Sequence, residues 1–397
     1  MQVDYLIIGG GVAGTIAAET VRLKDSAAKI AILEEEPYTL YSRVLMPAYL
    51  KGKIPREKLF LRRLANYQDQ GIDFYPSTLV GAIDSLRKEV STRDGKNFSY
   101  KKLLISAGGR PKGFTETLSS ISPISPLQIQ TLDDADSIKK IITNAASVSE
   151  KKVLVIGENF IALEFLAVFQ AAEFEVHAAS RKNLWGNENI FAKEGSRILE
   201  DNFRKQKIIV HHMANVSFIK NDDFYFQNGE HQRFPIWALG IGIKRNLSFL
   251  PDIRINEGIL TDEYLRTSDP DIYAAGDIAE FYDIIYAKHR LVGNWTNAFL
   301  QGRTAASNMF GEATVFKSVS TYNIVNLGLN ITFVGMVDGE VVDDIFEIAG
   351  EASLIRVFIR GGRTIGGVLI NRFHDKLALS RIIEEGKGKD ELEKTFK

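Results

Sequence analysis

Cysteine is absent from this 397-residue sequence. Without it there is no disulfide, no Cys-ligated iron–sulfur cluster, no thiolate zinc site and no redox-active dithiol. Any electron chemistry would have to reside on a bound cofactor. Long apolar runs are missing too: none reaches the roughly 20 residues needed to span a bilayer. Charge of one sign is not in excess either. Lys plus Arg is 49 and Asp plus Glu is 50, which gives neither a nucleic acid nor an anionic membrane surface anything to hold, so neither is expected as a partner. Histidine is sparse, with His177, His211, His212, His231, His289 and His374. No pair has metal-ligand spacing, so no metal is expected. The N-terminus, MQVDYLIIGGG, has no basic region and no small-residue cleavage site. No signal peptide is expected, and the cytoplasm is the default location.

What is present is ordinary for a globular chain, with 45% hydrophobic and 25% charged residues. The length exceeds one core, so two or three domains are expected. Tyr5 to Ile8 is a short apolar run broken by Gly9, Gly10 and Gly11. Ala13 to Leu23 then carries apolar residues at helical period, and Lys29 to Leu33 is a second β-rich run. The pattern returns with a strand at Lys152 to Ile156, a helix at Phe160 to Ala171 and a strand at Phe174 to Ala178. Two βαβ units with continuous apolar strands imply parallel α/β sheets. Between them, Ser119 to Gln128 is rich in Ser and Pro and reads as a linker. Beyond Phe316, Val325 to Val337, Leu354 to Ile359 and Ile365 to Ile370 read as antiparallel strands, with turns at Asp338-Gly339 and Gly361-Gly362. A closing helix is expected near Lys376 to Glu385, and a frayed, charge-rich end from Lys387 to Lys397.

Gly9-Gly10-Gly11-Val12-Ala13-Gly14 fits G-x-G-x-x-G in its proper context, after a strand and opening a helix. Gly9 permits the tight turn, Gly11 lets backbone approach a pyrophosphate, and Gly14 lets the helix pack on the strand. The helix N-terminus offers free N–H groups and the positive end of a dipole. Glu34 lies twenty residues after Gly14, where a ribose-binding acid belongs, with Glu35 beside it.

From these residues onward the chain resembles the FAD-dependent pyridine nucleotide-disulfide oxidoreductase superfamily, in the branch with rubredoxin, ferredoxin and nitrite reductase flavoprotein units. Glu35-Glu36-Pro37-Tyr38 through Tyr41-Ser42-Arg43 is similar to that branch's acid-Pro…Tyr-x-Arg stretch, which implies Arg43 beside the FAD diphosphate. Thr78-Leu79-Val80 resembles the strand whose Val backbone meets the adenine. Ser106-Ala107-Gly108-Gly109-Arg110-Pro111 resembles the ATG-x-R-P signature, with Ala107 in place of Thr. Ala274-Ala275-Gly276-Asp277 resembles the second FAD motif, implying that Asp277 bonds the ribityl chain. Trp295-Thr296-Asn297 resembles the start of the helix facing the flavin C2 oxygen. The implied fold is α/β, with two Rossmann-like dinucleotide-binding domains and a small α+β C-terminal domain. The expected boundaries are 1–115 and 238–316 for FAD, 116–237 for NAD(P)H, and 317–397 for the C-terminal domain.

The second motif, Gly157-Glu158-Asn159-Phe160-Ile161-Ala162, keeps its first Gly but has Asn159 at the second. Its side chain lies where backbone should meet a pyrophosphate, and Glu158 adds negative charge. After the next strand come Arg181 and Lys182 instead of an acid. They suit a 2′-phosphate and argue for NADPH, or else they are solvated cations. Gly240 lies in the strand that resembles the domain's closing strand. The resemblance makes Phe160 an aromatic gate over the flavin and Glu164 the acid near its N5. Ala48 stands where the branch has the Lys that pairs with that acid, so no such pair is expected. The basic stretch Lys51, Lys53, Arg56, Lys58, Arg62 and Arg63 is either a docking face for a small electron-carrier protein or a solvated surface. The implied activity is transfer of electrons from NAD(P)H through FAD to a small redox protein, quinone or oxygen. The alternative is an FAD subunit reduced by a protein partner, and a non-catalytic scaffold is a third. The C-terminal sheet could serve a homodimer.

Overall fold

A computed structural model describes residues 1–113, 125–144, 150–337 and 342–396. The chain forms two compact units. The first comprises 1–45, 55–110 and 244–318, and the second 46–54, 111–243 and 319–397.

The first unit is built on a five-stranded parallel sheet in the order Ile272–Ala274, Lys102–Ile105, Tyr5–Ile8, Ile30–Leu33, Ile72–Tyr75. All residues of the central Tyr5–Ile8 strand are buried, as a parallel strand covered on both faces requires. The Val12–Lys24 helix follows directly and packs against the Trp295–Phe310 helix. The crossing is close because Gly302 has no side chain: a Cβ there would stand 2.2 Å from the Ala13 carbonyl oxygen. A three-stranded antiparallel sheet, Val80–Asp84, Glu89–Thr92 and Asn97–Ser99, completes this half of the unit.

The second unit repeats the theme with a four-stranded parallel sheet in the order Ile209–His211, Glu175–Ala179, Lys152–Ile156, Ile236–Leu239. The Phe160–Ala171 helix begins where expected. The boundary expected at 238 lies instead between 243 and 244, because Ile236–Leu239 pairs along its whole length with Lys152–Ile156. Likewise 46–54, expected with the first unit, belongs to the second, where the Met46–Leu50 helix packs on Leu132–Thr143 and Phe160–Ala171. The five-stranded antiparallel sheet of the C-terminal region falls in this same unit rather than standing alone.

Within that sheet, the run Val325 to Val337 is not one strand. It breaks at Leu327 and Gly328, both at positive φ, into the hairpin Thr321–Asn326 and Leu329–Gly335. The Gly361-Gly362 turn is present, both residues having positive φ. The Asp338-Gly339 turn and positions 119–124 of the linker lie outside the described residues. Leu127, at the linker's end, bonds Trp237 and Leu239 and so joins the sheet edge. The C-terminus is ordered where fraying was expected, with a Lys389–Thr395 helix. Leu392 and Phe396, four apart, share one apolar face and are buried. Among the described residues no helix is long and apolar enough to cross a membrane.

Two histidines meet inside the second unit. His177 Nδ1 lies 2.7 Å from His211 Nε2, with the rings stacked. Glu175 bonds His177 on its other side. Burial lowers both pKa values from about 6.5, Glu175 and Glu230 opposing the shift only in part. Lowered folded-state values mean that the unfolded chain binds more protons near pH 6, so this contribution to stability is full above about pH 6.5 and is lost as the pH falls. The apparent Tm should therefore drop by a few degrees between about pH 7.5 and about pH 5.5. Differential scanning fluorimetry should show a flatter profile for the His177→Gln, His211→Gln double variant.

Candidate functional site

In the first unit the glycine turn has the geometry that a diphosphate needs. Gly9 has φ of +97°, and a Cβ there would lie 2.5 Å from the Ser106 carbonyl oxygen. At Gly14 a Cβ would lie 1.9 Å from the Gly9 carbonyl oxygen and 3.0 Å from Ile7. Gly11 differs from both, because a Cβ there would meet nothing within 4 Å. The helix N-terminus at Val12 thus opens onto free space, with its cap supplied by no side chain. Helix ends in that state bind anions.

Around the turn the expected residues assemble unevenly. Glu34 accepts hydrogen bonds from the backbone N–H groups of Gly10 and Glu36. Burial raises its pKa, and those two bonds oppose the shift. Glu35 is exposed and paired with Arg110, so both are engaged with each other. Arg43 bonds Glu36 at 2.7 Å through one nitrogen, while its Nη1 is buried without a partner. Gly108, at φ +65°, borders open space, and the preceding Ser106 hydroxyl bonds the Ile8 and Gly9 carbonyls. Val80 is buried at the start of its strand, and Ala107 sits in the loop between Ser106 and Gly108.

The second FAD-like motif closes on the same turn. Gly276 has φ of +79°, and its missing Cβ would lie 3.4 Å from that of Ala13. Its N–H donates to the buried Gln301 side chain, a residue the sequence reading passed over. The neighbouring Asp277 carboxylate accepts no hydrogen bond from any described residue. Burial raises its pKa, with Arg245 and Arg43 opposing. Asn294 caps the following helix through the Asn297 N–H, leaving Thr296 exposed in its first turn and the Asn297 side chain bonded to Val292.

In the second unit Gly157, at φ +130°, crosses Gly240 so closely that a Cβ would lie 2.1 Å from the Gly240 oxygen. Asn159 is the helix cap: its Oδ1 accepts from the Ala162 N–H at 3.1 Å. The slot left open at Gly11 in the first unit is therefore partly filled here by a side chain. Ile161 is exposed on the first turn. Arg181 and Lys182 are exposed, and neither side chain forms an ion pair among the described residues.

Phe160 packs against Tyr322 and Phe333, with ring centroids 4.4 and 4.8 Å away. Glu164, one turn on, has a buried Oε2 without a partner. Burial raises its pKa, opposed by the Asn326 side chain and the charge of Lys51. Glu164 forms no ion pair among the described residues, as the Ala48 position led one to expect, though the Lys51 charge acts on it. Lys51, one turn beyond Ala48, bonds Asn326 at 2.6 Å, and burial lowers its pKa while Glu164 opposes that. Burial, with the Glu164 charge, pushes the Tyr322 hydroxyl up to about 12. Of the basic stretch, Lys51 is held this way and Arg62 pairs with Glu19, so neither is a loose surface cation.

Residues 3–302 match the family model described as pyridine nucleotide-disulphide oxidoreductase. The chain belongs to this family. It is 26% identical over 352 residues to putidaredoxin reductase of Pseudomonas putida, covering 85% of this chain and 81% of that protein. It is 24% identical over 319 residues to rubredoxin-NAD(+) reductase of the same species, covering 78% and 80%. Among solved structures, the putidaredoxin reductase–putidaredoxin complex superposes with a TM-score of 0.85 at 23% identity, covering 97% of this chain and 93% of that one. NADH:rubredoxin oxidoreductase from Clostridium acetobutylicum gives 0.82 at 20%, covering both chains fully. At these identities the structural likenesses speak for the fold. The chain is an oxidoreductase of the family, and the open Gly11 turn, the unpaired Asp277 carboxylate and Arg43 Nη1 fit FAD. A buried donor such as Arg43 Nη1 left unmatched costs about 1–3 kcal/mol, which a phosphate oxygen would recover.

Two glycine variants separate binding from folding. Gly11→Ala adds a methyl to open space, so the protein should fold but purify with little FAD, read from its visible absorbance. Gly14→Ala drives a methyl into backbone and should cost about 1–3 kcal/mol or more in stability, seen as a lowered Tm.

Proposed function

We propose that this protein is an FAD-dependent oxidoreductase that takes electrons from NAD(P)H and passes them to an external acceptor, a small redox protein before a quinone or oxygen. The carrying observation is the half-buried Asp277 carboxylate, which no described residue bonds and which lies beside the open helix turn through Gly276 against Ala13. It supports a hydroxyl-bearing ligand whose diphosphate lies on Gly11. The absence of cysteine supports direct passage of electrons outward, with no protein disulfide. The preference among acceptors rests on the relatives named for putidaredoxin and rubredoxin.

In this reading Gly9, Gly11, Ala13 and Gly14 place backbone N–H groups on the diphosphate, with Arg43 beside it. Glu34 and Glu35 serve the adenosine ribose, Val80 the adenine, Asp277 the ribityl chain, and Ala107, Gly108 and Arg110 the neighbouring loop. Thr296 and Asn297 present a helix N-terminus, whose dipole favours negative charge by about 0.3–1 kcal/mol. FAD, once bound, supplies a group that accepts hydride and releases electrons singly or in pairs. In the second unit Gly157, Ile161 and Gly240 shape the nucleotide turn, and Phe160 with Glu164 borders the reacting end. Burial raises the Glu164 pKa against the opposing Asn326 bond and Lys51 charge, which places a carboxyl suited to holding or moving a proton at that end.

The Asn159 cap favours a second reading, in which the second site is spent and a protein partner reduces the flavin. Anaerobic stopped-flow mixing with NADH and with NADPH decides between them. Bleaching of the flavin band by either supports the proposal, and none with both supports the partner. If bleaching occurs, Lys51→Met should slow it about tenfold or more while leaving the bound-FAD spectrum intact; an unchanged rate would remove Lys51 and Glu164 from the reaction.

A further inference from the structure

The dinucleotide fold ordinarily holds the ribose nearest the adenine by an acid at the end of its second strand. In the second unit that strand is Glu175–Ala179, and the residues after it are Ser180, Arg181 and Lys182, with no acid among them. The structure nevertheless brings a carboxylate to that point from the other loop. Glu158, in the turn after Lys152–Ile156, accepts the Arg181 N–H at 2.8 Å and lies 3.2 Å from the Ser180 hydroxyl. Ser180 is fully buried, and its hydroxyl is also 3.2 Å from the Lys182 and Leu184 carbonyl oxygens, which fixes the loop around the carboxylate. Glu158 is half-buried and Oε1 makes both contacts; Oε2 accepts no hydrogen bond from any described residue.

We infer that Glu158 is the specificity residue of the second nucleotide site and selects NADH over NADPH. The inference rests on the reading that this unit binds a pyridine nucleotide. The free Oε2 is an acceptor for ribose hydroxyls. A 2′-phosphate, carrying close to two negative charges, would stand against a carboxylate that no cation neutralises, because neither Arg181 nor Lys182 forms an ion pair with it. It would also have to displace Oε1 from the Arg181 N–H, the donor that a phosphate would otherwise use. Like charges at contact distance disfavour binding, and this outweighs two exposed, freely solvated cations. The pair Arg181 and Lys182, which reads as a 2′-phosphate site in the sequence, is overruled by a residue more than twenty positions earlier.

The test uses the purified flavoprotein. Binding of NAD⁺ and NADP⁺ is measured by calorimetry, and KM for NADH and NADPH with ferricyanide as acceptor. The wild type should favour the unphosphorylated nucleotides at least tenfold. Glu158→Gln keeps an oxygen for the Arg181 N–H but removes the charge, and should narrow that ratio about tenfold, chiefly by tightening NADP⁺. Glu158→Ala should narrow it in the same direction. Retained FAD absorbance and an unchanged circular dichroism spectrum show that both variants are folded. A wild type that prefers NADPH, or a ratio unmoved in both variants, overturns the role of Glu158 while leaving the nucleotide site standing. Binding of neither nucleotide by the wild type overturns the site and this inference together.

Discussion

The first unit depends on how closely one helix can approach its neighbours. Val12–Lys24 touches backbone on two sides, the Gly9 carbonyl through Gly14 and, from its partner helix, Gly302 against the Ala13 carbonyl. Any side chain at Gly14 or Gly302 would push the helix off the sheet or its partner away. These contacts fix the direction of the helix axis and hence where its first N–H groups point. Anion binding by a helix end falls off within one turn, so fixing that axis is a condition for holding a diphosphate at all. The same approach draws Gly276, and with it Asp277, to the first turn. One packing constraint thereby gathers groups separated by more than 260 positions.

The second unit keeps this packing and changes the chemistry laid over it. Gly157 against Gly240 reproduces the close crossing of Gly9 against Ser106, each glycine at positive φ and each denied a Cβ by a carbonyl oxygen. The fold is therefore retained at full strictness. At the position matching Gly11, however, Asn159 satisfies one helix N–H from within the chain, and Glu158 accepts the Arg181 N–H of the next loop. The Ala162 and Arg181 N–H groups of the second unit thus have acceptors within the chain, where the first-unit helix has no side-chain cap.

Much of this was readable beforehand, and the parts that were not share a cause. Both βαβ units, the first helix, the Phe160 helix and the Gly361-Gly362 turn follow from local pattern, since glycine punctuation and apolar period act over a few residues. The family resemblance likewise located the FAD loops in their order along the chain. What failed depended on tertiary placement. Ala238 looks the same whichever sheet its strand joins, and pairing with Val155 decides it. The last residues look frayed by charge, yet the burial of Leu392 and Phe396 outweighs that. The bond from Lys51 to Asn326 joins residues 275 positions apart, which no local pattern reports.

The buried acids divide by what the protein provides for them. Glu34 has two backbone N–H groups and Glu164 has Asn326 with Lys51 nearby, so each has partial compensation from the chain itself. Asp277 has only the charges of Arg245 and Arg43 and no direct donor. Burial raises the pKa of a carboxyl in that position, and a donor to the ionised form would oppose the shift. With the charges of Arg245 and Arg43 already opposing the shift, the donors that would suit it under the proposed function are neutral hydroxyls.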